Sequence, residues 1–125
     1  LRAEHIEALA ATGPAAIIIH GTGLGHVPMS DPAGDAPENK DIWKALMRAS
    51  NRKMPIIVTT QCMEGPVDMN VYAKGREQQD LGLLGHGLTC HPDTVAVKAH
   101  FLISNGMELE DHLHTDLCGE NPLRL

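Results

Sequence analysis

Two short, unbroken apolar runs stand out from an otherwise mixed chain: Ala15 to Ile19, and the Ile56-Ile57-Val58 core of Pro55 to Thr60. Neither alternates, so each suits a strand buried on both faces, as in a parallel sheet. Between them Ile42, Trp43, Leu46 and Met47 recur at helical spacing and define an amphipathic helix. Asp35-Ala36-Pro37-Glu38 has the spacing of a capping box with proline at the first helical position. Arg48, Arg52 and Lys53 suit the negative end of the same helix. Strand, helix and strand make a βαβ unit with a right-handed crossover, so the loops after both strands should open on one edge of the sheet.

The remaining pattern is weaker. Residues 1–12 place Ile6, Leu9 and Ala10 on one helical face, opposite Glu4 and Glu7, and Gly13-Pro14 stops that helix. Pro28 to Pro37 reads as loop, Val71-Tyr72 as strand or loop, and Gly75 to Asp80 as a short polar helix. Leu81 to Leu84 reads as a brief third strand, closed by Gly85-His86-Gly87. Pro92 to Ser104 is a helix with Val95, Ala99 and Leu102 on one face and Gly106 as its cap; residues 107–118 are weakly helical. The expected fold is α/β: a small parallel sheet of about four strands flanked by helices, in one domain spanning residues 1–125.

Composition narrows the function. One Trp, one Tyr and one Phe leave no platform for stacking bases, and a net charge of -6 provides no general phosphate-binding surface. No apolar run approaches the roughly 18 residues that span a bilayer, so no membrane contact is expected. Leu1 opens directly into the helical pattern without a signal-peptide profile, and with no initiator methionine the expectation is a processed product or a fragment. Cys62, Cys90 and Cys118 are odd in number and widely spaced, which fits a reducing cytoplasm.

The richest chemistry follows the first strand. Gly21-Thr22-Gly23-Leu24-Gly25-His26 lies where α/β folds bind ligands, beyond the carboxyl end of a strand. It lacks the Gly-x-Gly-x-x-Gly order of a dinucleotide loop and the Gly-Lys-Ser/Thr of a phosphate loop. Spacing alone leaves two readings open: a binding loop presenting His26, or a glycine-rich turn with a solvated histidine. Gln61 to Gly65 forms the companion loop after the second strand. Cys62 within it is a conceivable thiol nucleophile facing His26, or a small apolar side chain. His112, His114 and Cys118, or Cys90-His91, resemble metal ligands, but neither group has the paired Cys-x-x-Cys spacing of structural zinc, and no metal is expected. Arg76 and Lys98 read as surface charges, with Arg76 the better candidate for an ion pair or an anion contact.

Residues 17–28 (Ile-Ile-Ile-His-Gly-Thr-Gly-Leu-Gly-His-Val-Pro), residues 55–72 (Pro-Ile-Ile-Val-Thr-Thr-Gln-Cys-Met-Glu-Gly-Pro-Val-Asp-Met-Asn-Val-Tyr) and Gly75-Arg76 together resemble the C-terminal domain of the asparaginase family. The Leu-Gly-His-Val form of the loop and Gly119-Glu120 resemble the branch of that family serving as the D component of archaeal glutamyl-tRNA(Gln) amidotransferase. The type I L-asparaginase C-terminal domain is the alternative, as is a non-catalytic interaction domain. Two positions depart from the family pattern: Thr89-Cys90 stands where an Asp-Met pair is usual, and Gln78-Gln79 stands where leucines are usual.

The resemblance implies two α/β domains. The larger N-terminal domain, absent from this chain, carries two catalytic threonines with an activating aspartate and lysine, so no catalytic residue is expected here. The smaller domain packs against a second copy in a homodimer and completes its active site. By position His26, and less securely Tyr72, approach that neighbouring substrate, while Gly21, Gly23, Gly25 and Gln61 shape the loops. The implied reaction releases ammonia from glutamine or asparagine and delivers it to Glu-tRNA(Gln) on the E component of the amidotransferase. No cofactor is implied for this chain, because the ATP is used by that partner, and the tRNA is reached only indirectly.

Overall fold

β1 (Ile17–Gly21) and β2 (Ile56–Thr60) pair in parallel, from Ile17 opposite Ile56 to Gly21 opposite Thr60. The computed structural model describes residues 1–122, and among them these two strands form the only sheet. The chain enters through α1 (Ala3–Ala11), crosses from β1 to β2 through α2 (Glu38–Asn51), and continues through α3 (Ala73–Asp80), α4 (Pro92–Ser104) and the single turn α5 (Leu109–His112). The α/β class and the flanking helices match the expectation.

The strand count does not. Of the expected third strand, Leu81 to Leu84, only Leu84 joins the ladder: it accepts from Val58 N at 2.8 Å and donates to Ile56 O at 2.8 Å. Gly85 turns the chain away at a φ of 128°, with its Cα hydrogens against Val58 O; a Cβ there would stand 2.1 Å from that oxygen. The segment therefore makes one bridge, and no fourth strand is present among the described residues.

All five residues of β2 are buried, which explains the apolar run Ile56-Ile57-Val58; Thr59 and Thr60 are buried with it. Ile42, Ala45, Leu46 and Ala49 of α2 close over them, while Trp43 and Met47 are only half-buried. The helix start also differs from the expectation. Asp35 caps nothing; α2 begins at Glu38 after Pro37, and Asp31 Oδ1 accepts from Ala36 N at 3.0 Å to shape the approach. In α1 only Ile6 is buried, and Leu9 stays 53% exposed.

α4 buries Val95, Ala99 and Leu102 as expected, but also Lys98. Its Nζ meets Glu120 Oε1 at 2.7 Å and the carbonyl of Thr115. Glu120 also accepts from Leu117 N at 2.9 Å and Cys118 N at 2.8 Å, so one carboxylate ties the C-terminal loop to α4. Lys98 is thus an internal tether, and not the surface charge its sequence context suggested, because a buried ammonium needs a charged partner.

Candidate functional site

The two strands end side by side and their loops fold into one structure. Gln61 N donates to Gly21 O at 2.9 Å, Thr60 Oγ1 donates to Gly23 O, and Asp68 N donates to Leu24 O at 2.9 Å. The glycine loop closes on itself through Thr22 and His26, whose main chains exchange bonds of 3.0 and 2.8 Å. This closure requires the absence of side chains. A Cβ on Gly21 would lie 2.9 Å from the returning His26 backbone, and one on Gly25 would lie 2.7 Å from Val67 Cγ1.

A residue not singled out from the sequence holds the loop. Gln78, on α3 and fully buried, accepts from Val27 N at 2.7 Å and donates from Nε2 to Gly25 O at 2.8 Å. One amide thereby satisfies a donor and an acceptor that would otherwise be buried without partners. The only sequence signal was its departure from the leucine usual in the family. Gly75 lets α3 approach: a Cβ there would lie 2.4 Å from Met69 O. Arg76 has no ion pair among the described residues; its Nη1 donates to Asn70 O at 3.0 Å and fixes the turn leading to Tyr72.

His26 and Tyr72 come together. Their ring centroids lie 5.4 Å apart with an interplanar angle of 69°, an edge-to-face arrangement. His26 is half-buried, and its Nε2 is shielded from solvent with no hydrogen-bond partner among the described residues. Tyr72, by contrast, is 57% exposed. Gln61 is exposed and shares with His20, Thr22 and His26 the lining of a cleft of about 450 Å³. Of the other loop residues, Gly21 and Gly25 are buried structural elements and Gly23 is exposed. Cys62 is exposed and does not line that cleft; its N–H donates to Thr60 Oγ1 at 3.1 Å.

The suspected metal ligands serve other purposes. His114 Nε2 accepts from Gly85 N at 3.1 Å, and burial, with help from the charges of Lys98 and His86, pushes its pKa below the ordinary value. His91 Nδ1 caps α4 by accepting from Asp93 N at 3.2 Å. Burial raises the Cys90 thiol, and the hydrogen bond to Glu120 raises that of Cys118. Among the described residues, no three His, Cys, Asp or Glu side chains gather to hold a metal ion. Nor is any helix among them long and apolar enough to cross a membrane.

Comparison with known proteins gives a consistent picture. The family described as "Glutaminase/Asparaginase C-terminal domain" matches residues 1–113. The D component of the glutamyl-tRNA(Gln) amidotransferase of Pyrococcus horikoshii is 32% identical over 114 residues, covering 89% of this chain and 23% of that protein. L-asparaginase 1 of Escherichia coli is 35% identical over 77 residues, covering 62% of this chain and 22% of that protein. The chain thus spans less than a quarter of either relative. L-asparaginase I of Vibrio cholerae superposes with a TM-score of 0.76 at 25% identity, over 98% of this chain and 34% of its own. The L-asparaginase of Thermococcus kodakarensis superposes with a TM-score of 0.78 at 21% identity, over 99% of this chain and 35% of its own, a likeness of fold alone.

Proposed function

The chain belongs to the glutaminase/asparaginase C-terminal domain family, and from that premise we propose that it is the smaller domain of an asparaginase-type amidohydrolase, in the form of the D component of a glutamyl-tRNA(Gln) amidotransferase. In this reading the domain supplies no nucleophile. An N-terminal catalytic domain forms an acyl-enzyme on a threonine and releases ammonia from glutamine or asparagine. This domain completes the site of the neighbouring copy in a homodimer. The E component holds Glu-tRNA(Gln), consumes the ATP and receives the ammonia. The assembly works in the cytoplasm, in keeping with three unpaired cysteines.

The observation that supports it best is the state of His26. Its Nε2 is buried and unsatisfied at the rim of the domain, on a loop pinned from behind by Gln78 and steadied by the Tyr72 ring. A buried polar atom without a partner costs on the order of 1–3 kcal/mol, and a turn of the ring that brings Nε2 to a donor or acceptor on an adjoining surface recovers it. The arrangement suits a residue that completes its bonding when a second copy docks and not one that works alone.

The test is ammonia release by the complete enzyme, with both domains present. His26→Ala should lower kcat with asparagine or glutamine by about tenfold or more, the scale of one lost transition-state contact. Unchanged turnover would remove His26 from the site. The likeness to Escherichia coli L-asparaginase 1 favours a second reading, the C-terminal domain of a type I asparaginase. Copurification with a tRNA-binding partner supports the amidotransferase; asparagine hydrolysis without one supports the asparaginase. A parent polypeptide lacking any threonine-bearing catalytic domain would leave a non-catalytic interaction domain.

A further inference from the structure

His86 is engaged at both ring nitrogens. Its Nδ1 accepts from Met69 N at 3.0 Å, and its Nε2 lies 3.1 Å from the side-chain amide of Asn70. Gln79 meets the other end of that amide at 2.9 Å. A neutral imidazole offers one acceptor nitrogen and one N–H. With Nδ1 accepting, the proton sits on Nε2, and the Met69 bond exists only while the ring is neutral.

That bond continues a run of pairings. Val67 N donates to Leu88 O at 2.9 Å, and Gly87 N donates to Val67 O at 2.8 Å. At Met69, two residues further on, the imidazole of His86 takes the place of a main-chain carbonyl. Met69 is fully buried, and the chain leaves it through Asn70 to Tyr72, where α3 begins. The ring of Tyr72 then stands 5.4 Å from that of His26. One imidazole thus fastens the start of the turn whose end steadies another.

An alternative partner lies beside the ring. Asp68 Oδ1 is 3.9 Å from His86 Nδ1 and accepts from Asn70 N at 2.9 Å. A proton added at Nδ1 sets two donors against each other at Met69 and gives the ring a carboxylate to turn towards. The other titratable groups facing His86 are Glu110 and His114, which line a hollow of about 360 Å³ with it. From α3, Arg76 Nη1 keeps its bond to Asn70 O at 3.0 Å whatever the state of the ring, so the turn loosens without unfolding. We propose that His86 is a proton-operated latch on the turn from Met69 to Tyr72, closed when neutral and open when protonated, through which acid loosens Tyr72 from His26. The latch works within this chain and does not depend on which enzyme the domain serves.

NMR from about pH 8 to pH 5 tests it, since imidazoles ordinarily titrate in that range. As the His86 ring nitrogens titrate, the Met69 amide should exchange about tenfold or more faster, relative to the intrinsic rate at each pH. The cross-peak between the Tyr72 and His26 rings should weaken with the same midpoint. The amides of Val58 and Val67 should stay protected throughout and report that the fold is intact. His86→Asn keeps an acceptor near the place of Nδ1 but takes up no proton, so Met69 and Tyr72 should stop responding to pH. His86→Phe fills the space without an acceptor, and should leave Met69 fast and the cross-peak weak at every pH. Responses that persist in His86→Asn belong to His26 or His114 and overturn the proposal. So does a parent protein in which His86 titrates while Met69 and the cross-peak stay unchanged, or a His86→Phe variant with Met69 still protected.

Discussion

The imidazole of His26 meets the ring of Tyr72 edge to face, with centroids 5.4 Å apart, although the two residues lie on different loops. Exposed aromatic pairs contribute at the low end of the ordinary range, about 0.5 kcal/mol. Tyr72→Phe should therefore leave stability unchanged and keep the His26 ring resonances in place. Tyr72→Ala should shift those resonances by loss of the neighbouring ring current while costing about 0.5–1 kcal/mol in urea unfolding. Identical His26 spectra in the two variants would show that the contact does not position the imidazole.

Gln78 joins Val27 N and Gly25 O inside the protein. Gln78→Leu, which restores the family's usual residue type, strands both groups and should cost about 2–4 kcal/mol, measured by denaturant midpoint. An unchanged midpoint would mean that the loop finds other partners.

The glycine loop offers an internal comparison. Gly23 and Gly25 both have positive φ, 51° and 90°, but a Cβ meets nothing at Gly23 and meets Val67 Cγ1 at 2.7 Å at Gly25. Gly23→Ala should cost about 1 kcal/mol for backbone strain alone, and Gly25→Ala about 1–3 kcal/mol more. Adding Val67→Ala should relieve only the steric part of the second. Equal costs for the two single variants would contradict the packing described.

Two groups, His114 and Glu120, contribute to the acid limb of stability. His114 has a folded pKa below its ordinary 6.5, so the unfolded chain binds the proton first. Its contribution is complete above pH 6.5 and is lost as pH falls from there through the lower folded value. Glu120, held well below the usual carboxylate range by Lys98 and then by the Leu117 and Cys118 amides, adds a second loss that begins near 4.5 and continues downward. Replacing His114 with Gln should flatten the first step, and Glu120→Gln the second, in unfolding curves collected across pH. Curves parallel to the parent's would show that other groups govern the acid limb.

β2, α2 and α4 were legible because burial on both faces and amphipathic periodicity leave strong local patterns; β1 carried the same apolar run, but the expected burial on both faces fails there, with Ile18 and Ile19 half-buried and His20 exposed. The Leu81 to Leu84 segment carried the same apolar signal, yet Gly85 has to turn away against Val58 O, and the apolar run reports burial without strand pairing. The Asp35 cap failed because Pro37 precedes the helix and Asp31 does the local bonding. Lys98 and Gln78 were illegible for one reason: their partners lie far along the chain, 22 positions away at Glu120 and 51 and 53 away at Val27 and Gly25. Local pattern has no access to such pairs. Of the candidate site, the shared sheet edge was readable and the clamp that fixes it was not.

That clamp also dictates an order of events. The glycine loop lies next to β1, but it cannot take its final shape until α3 has formed and docked, because Gln78 is 51 residues from Val27. Long-range closures of this kind come after local ones as a chain folds. The β1–α2–β2 unit can assemble early, leaving the loop that presents His26 among the last parts to set and, in unfolding, the first to release. Gln78→Leu should then accelerate unfolding and leave the folding rate nearly unchanged.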